Sequence, residues 1–147
     1  MPGEAQMAEA TGTVRRLTGR CLCGAVEYRV ADAFRYAMNC HCSRCRRATG
    51  SAFKAFAGIP AADFALVRGH AGLLVHGDRA AAHDLHCGTC GSLLGSVVRE
   101  GRFVHVTMGT LVDTPSIRPS RHIFVGSKAA WHEITDDLPR HEAFPDD

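Results

Sequence analysis

Seven cysteines in a chain of 147 residues fall into three short clusters, and that grouping constrains the fold more than any other feature. The clusters are Cys21-Leu22-Cys23-Gly24, Cys40-His41-Cys42-Ser43-Arg44-Cys45 and Cys87-Gly88-Thr89-Cys90-Gly91. Each spacing has a geometric use. In an extended segment the side chains at i and i+2 point the same way, so Cys21 and Cys23 can reach one ion. In a C-x-x-C turn the two sulfurs converge, and a glycine directly after permits the positive φ that such a knuckle needs. Gly24 and Gly91 occupy those places.

The oxidation state follows from the compartment. The N-terminus carries acidic residues and no apolar run of signal-peptide type. No stretch approaches the roughly 18–20 apolar residues that span a bilayer. The expectation is a cytoplasmic protein, whose thiols stay reduced. Disulfides for six of the seven cysteines are disfavoured there, and a thioredoxin-like redox motif lacks its βαβ setting. Metal is the remaining use. Zinc takes a closed tetrahedral shell in structural sites and keeps an open position in catalytic ones. Four thiolates from the first and third clusters make a closed shell and leave Cys40, Cys42 and Cys45 as a three-thiolate group. Seven divides as four plus three.

The rest of the composition narrows the partners. The formal net charge is +2, too balanced for a protein that works mainly on nucleic acid or a membrane. Fifteen of the 17 basic residues are arginine, whose planar fork suits carboxylates. Arg44, Arg46 and Arg47 crowd the second cluster, where they are expected to favour thiolate and to clamp substrate carboxylates. Phe53 and Phe56 stand just downstream as pocket walls or plain core. His41 lies between two cysteines and alternation turns it away from a shared metal. His83, His86, His105, His122 and His132 read as core or surface residues, and Asp136-Asp137 as solvated tail carboxylates.

Along the chain, residues 1–17 lack periodicity and read as a flexible arm, followed by one zinc-binding domain over 18–147. Val26, Tyr28 and Val30 alternate with polar residues as in a half-buried strand, and so do Phe34, Tyr36 and Met38. Further strands are expected at Ala52–Ala57, Phe64–Arg68, Leu73–His76, Ala82–His86, Leu93–Val98, Phe103–Met108 and Ile123–Val125. Turn signals separate them at Gly58-Ile59-Pro60, Arg68-Gly69, Gly77-Asp78 and Glu100-Gly101. Short helices are expected at Ser43–Thr49 and Ala61–Phe64, and irregular wrapping from Trp131 onward. The fold class is mainly β, a small domain of antiparallel hairpins.

Three cysteine motifs in this order, together with Arg121-His122-Ile123-Phe124-Val125-Gly126-Ser127-Lys128-Ala129-Ala130-Trp131, resemble the glutathione-dependent formaldehyde-activating enzyme family, also called the centromere protein V family. The resemblance runs from about Gly19 to Phe144. It implies tented antiparallel β-sheets built around two zinc ions per chain. It implies that Cys21, Cys23, Cys87 and Cys90 hold a structural zinc and that Cys40, Cys42 and Cys45 hold a catalytic one. It also implies a carbon–sulfur lyase that condenses formaldehyde with glutathione, or a related small thiol, to an S-hydroxymethyl thiol. The competing reading is a non-catalytic zinc scaffold that displays a partner-binding surface.

Overall fold

The computed structural model describes residues 14–145. Ten strands form two sheets: β1 (Arg16–Arg20), β2 (Glu27–Ala31), β3 (Tyr36–Cys40), β4 (Lys54–Pro60), β5 (Phe64–Arg68), β6 (Leu73–Gly77), β7 (His83–Cys87), β8 (Leu93–Val98), β9 (Phe103–Thr107) and β10 (His122–Ile123). The small sheet runs β1-β2-β5 and the large one β10-β3-β4-β9-β8-β7-β6. Every pairing is antiparallel except the short parallel contact of β10 with β3. Among the described residues one α-helix, α1 (Ser43–Thr49), spans the residues expected of it, and Ala61–Asp63 forms a 3-10 turn.

The main core lies between the sheets. Leu17, Tyr28 and Val30 from the small sheet pack in one cluster with Ile59, Leu94, Val104 and Val106 from the large one. The Val26, Tyr28 and Val30 alternation therefore marks the inner face, as its period predicts. A second cluster on the large sheet joins Cys40, Phe56 and Ile123, with Tyr36 and Met38 packed against it. Both faces of β3 are thus covered: Ala37 and Asn39 are buried too, although the pattern expected only Phe34, Tyr36 and Met38 to turn inward.

Two expectations need correction. Residues 1–13 of the expected arm lie outside the described residues, but Arg16 and Leu17 belong to strand β1, where Leu17 is fully buried. A five-residue strand with a single large apolar side chain carries too little alternation to be seen. The turn expected at Gly58-Ile59-Pro60 is instead the end of β4. Gly58 is there for room: it pairs with Tyr36 across the strands, and a Cβ on it would meet the Tyr36 ring at 2.2 Å.

The same device recurs in the small sheet. Gly19 pairs with Tyr28, and a Cβ on Gly19 would sit 1.9 Å from the ring. Tyr28 is fully buried and its hydroxyl hydrogen-bonds Thr110 Oγ1 at 2.7 Å. A methyl at residue 19 displaces the ring and breaks that bond. Gly19→Ala is expected to cost about 2–4 kcal/mol, the sum of overpacking and a stranded buried hydroxyl. Denaturant melts of the variant check this, and a change below about 1 kcal/mol would refute it.

Candidate metal centres

The first and third cysteine clusters come from different sheets. Cys21 and Cys23 follow β1 in the small sheet; Cys87 ends β7 and Cys90 precedes β8 in the large sheet. The four sulfurs nevertheless lie within 4.8 Å of one another. Cys21 and Cys23 Sγ are 3.7 Å apart, and Cys23 and Cys87 Sγ are 3.8 Å apart. A tetrahedron with roughly 2.3 Å metal–sulfur bonds has edges of about 3.8 Å, whereas a disulfide needs about 2.05 Å. The donor set therefore fits a tetrahedral thiophilic ion.

Backbone geometry supports the cluster. Gly24 and Gly91 both take φ +82°, as the knuckle requires. The Val26 N–H donates to Cys21 Sγ at 3.2 Å, and the Thr89 and Cys90 N–H groups donate to Cys87 Sγ at 3.4 and 3.5 Å. Ser92 ties the knuckles together: its Oγ accepts from the Leu22 N–H at 3.0 Å and lies 3.2 Å from Cys90 Sγ. That Ser92 contact is the largest influence holding the Cys90 thiol down, at about 5.

The second cluster comes from one continuous segment. Cys40 ends β3, Cys42 caps the N-terminus of α1, and Cys45 lies in its first turn. Cys42 Sγ accepts from the Cys45 N–H at 3.3 Å, a capping bond in which sulfur replaces the usual oxygen. The three sulfurs also lie within 4.8 Å of one another. The three thiols hold their protons unequally. Hydrogen bonding from Cys40 draws the Cys45 thiol down to about 6 against its burial, with help from the Lys54 charge. The same bond, together with burial, drives Cys40 upward. Three thiolates so close together call for a cation, and this set can hold a metal with a position left open.

Cys42 and Cys45 open onto a cavity of about 320 Å³. Arg44 lines it, while Arg46 and Arg47 lie in the last turn of α1 and do not. Phe53 lies instead against His41, and Phe56 is buried in the core and faces a neighbouring cavity. The cation missed in the sequence is Lys54. It begins β4 directly opposite Cys40, is only 7% exposed and lines the same cavity. Its Nζ donates to Ser96 Oγ at 3.3 Å, and Ser96 donates to Asp84 Oδ1 at 2.5 Å. The signal was present: lysine occurs only twice in the chain, and this one stands in an apolar strand.

His41 is fully buried and lies outside both sulfur sets, as alternation requires. Its Nε2 meets His122 Nδ1 at 2.9 Å, and His122 Nε2 meets Asp136 Oδ1 at 3.0 Å. Asp136 is therefore not a merely solvated tail carboxylate; it anchors the segment after β10 to the loop that carries Cys40 and Cys42.

His105 borders the cavity from β9, with Nε2 2.7 Å from the Tyr36 hydroxyl and its ring stacked on Phe56 at 4.4 Å. Burial, followed by the charges of Lys54 and Arg99, lowers it from 6.5 to about 4. The unfolded chain then binds a proton below pH 6.5 that the native chain refuses until about pH 4. Stability is complete above pH 6.5 and is lost as pH falls through that window, by up to about 3 kcal/mol. Urea midpoints between pH 8 and 4 should show a steeper fall for the native chain than for His105→Gln; parallel curves would refute it.

Among the described residues no helix is long and apolar enough to cross a membrane. Comparison with known families and with solved structures gives matches of both kinds. The family model described as glutathione-dependent formaldehyde-activating enzyme matches residues 16–127. A crystal structure of a Rhodobacter sphaeroides protein is similar over 68% of this chain and 92% of that one, at 28% identity and a TM-score of 0.56. Curated proteins give no match.

Proposed function

Because this chain belongs to the glutathione-dependent formaldehyde-activating enzyme family, we propose that it is a zinc-dependent carbon–sulfur lyase acting on thiol–aldehyde adducts. The substrates are formaldehyde and glutathione or a related small thiol, in a reducing compartment such as the cytoplasm. Cys21, Cys23, Cys87 and Cys90 would hold one zinc ion, and Cys40, Cys42 and Cys45 a second. The observation that carries the reading is three convergent sulfurs, two of them (Cys42 and Cys45) opening onto a 320 Å³ cavity that also holds a buried lysine and an arginine.

The reaction forms a bond from thiol sulfur to the aldehyde carbon and moves one proton from sulfur to the carbonyl oxygen, giving an S-hydroxymethyl thiol. Zinc on three thiolates supplies affinity for a further sulfur and Lewis acidity toward a carbonyl. The chain's own residues supply position and charge. Lys54 Nζ, fixed by Ser96 and Asp84, sets a positive charge where the carbonyl oxygen becomes negative. Its ammonium can also deliver the proton that oxygen takes up. Arg44 offers a planar fork to a carboxylate of the thiol substrate. Holding both reactants in one small cavity lowers the barrier by approximation.

The test is exchange spectroscopy on 13C-formaldehyde mixed with glutathione. Interconversion should be faster with the metal-loaded chain than in buffer, and Lys54→Met should remove at least tenfold of the enhancement. Equal rates in buffer and with the chain would refute the lyase and leave the zinc scaffold.

A further inference from the structure

Beside the cysteine cavity lies a larger one, of about 850 Å³, that the reaction above does not use. The two share Val98, His105 and Phe144 as a common wall. The larger cavity is lined by apolar side chains, Met38, Phe56 and Ile123 among them, and by four arginines, of which Arg35, Arg99 and Arg118 are exposed and Arg121 is half-buried. Among the described residues Arg35, Arg99 and Arg118 have no carboxylate partner and no acidic side chain lines the cavity. Arg99 opens the β8–β9 turn, in which Glu100 also takes a left-handed φ. The Arg99 φ is +54°, in the left-handed region, and its guanidinium lies 4.6 Å from the Phe103 ring centroid and 5.7 Å from that of Tyr36.

Charge and shape together select a ligand class. Unpaired guanidinium groups over an apolar floor suit a carboxylate attached to an aryl or alkyl body. Among the described residues the lining offers an amino-acid ammonium no acidic partner, so an acid without an ammonium is the better fit for this cavity. We propose that this cavity binds an organic acid with an apolar body, its carboxylate on Arg35, Arg99 and Arg118 and its other end at the His105 wall, facing the cysteine cavity. That the occupant is the thiol co-substrate of the triad rests on the function proposed above; the binding itself does not.

The probe is 4-methylbenzoate, titrated into the metal-loaded full chain by calorimetry, with neutral 4-methylbenzamide as its partner. The carboxylate is expected to bind saturably and at least tenfold more tightly than the amide. In Arg35→Ala/Arg118→Ala its affinity should fall to the amide's, while the amide's is unchanged. Both arginines are exposed, so the fold should survive, and a melting curve verifies this. A second readout is position: the Met38 methyl and His105 ring resonances should shift on binding. Equal affinities, an unaffected double variant, or shifts elsewhere would overturn the proposal. The formaldehyde exchange assay on the same samples separates the two readings. Benzoate binding without exchange removes the lyase and keeps this site; exchange without benzoate binding removes only this site.

Discussion

Cys90→Ser is expected to unfold the domain. The side chain is nearly isosteric, so packing alone predicts a small change. The effect comes from the ion: serine does not replace a thiolate in a shell whose other three sulfurs already lie near tetrahedral separation. Structural zinc contributes on the order of 10 kcal/mol in small domains, comparable to or above the typical net stability of 5–15 kcal/mol. The cluster also carries more here than a local knuckle, because its ligands come from both sheets. Without it the interface of Leu17, Tyr28, Leu94 and Val106 has to hold the sheets together alone. Circular dichroism melts should show loss of the cooperative transition, with zinc per chain falling accordingly. A variant that melts like the native chain would show that the four-sulfur set is not a structural centre.

Cys42→Ser is expected to do the opposite: one zinc lost, turnover abolished, fold retained. Cys40, Cys42 and Cys45 lie within six consecutive residues, so an ion there joins only the end of β3 to the start of α1. The substitution even suits the backbone. Cys42 is the N-cap of α1, and serine is among the best N-cap residues. The expected melting temperature lies within a few degrees of native. Elemental analysis should find one zinc per chain in the variant and two in the native protein, and formaldehyde–thiol exchange should return to the buffer rate. Retained exchange with one zinc would move the chemistry away from the triad, and two retained zinc ions would undo the ligand assignment.

The division of seven cysteines into four plus three was readable from spacing alone, because i, i+2 pairs and C-x-x-C-Gly knuckles have few geometric solutions. The helix after the second cluster was equally plain. Most strands announced themselves by alternation, and their ends were set by glycine turns. What failed has physical causes. Gly58 and Pro60 are turn residues in composition, but Gly58 serves as the floor beneath a tyrosine ring, a tertiary demand that local propensity does not register. Strand β1 hid because its inward positions are Leu17 and Gly19, and the glycine is silent until Tyr28 is placed over it. Lys54 and Asp136 were overlooked because charged residues are read as solvated by default. Each gains its role from a partner distant in sequence: Ser96 for the lysine and His122 for the aspartate.

The span of the four-sulfur cluster has a kinetic side. Cys23 and Cys87 are 64 residues apart in the chain and only 3.8 Å apart at sulfur. Closing a loop of that length costs about 4 kcal/mol of chain entropy before any contact inside it repays the loss. An ion held by all four sulfurs could bind only once the loop has closed, so it would act late, as a latch on a search that has already succeeded. Refolding should therefore begin at a rate indifferent to zinc concentration and end in a step that depends on it. A cell short of zinc would accumulate chains with formed hairpins and undocked sheets, exposed to proteolysis at the point where the metal should have closed them.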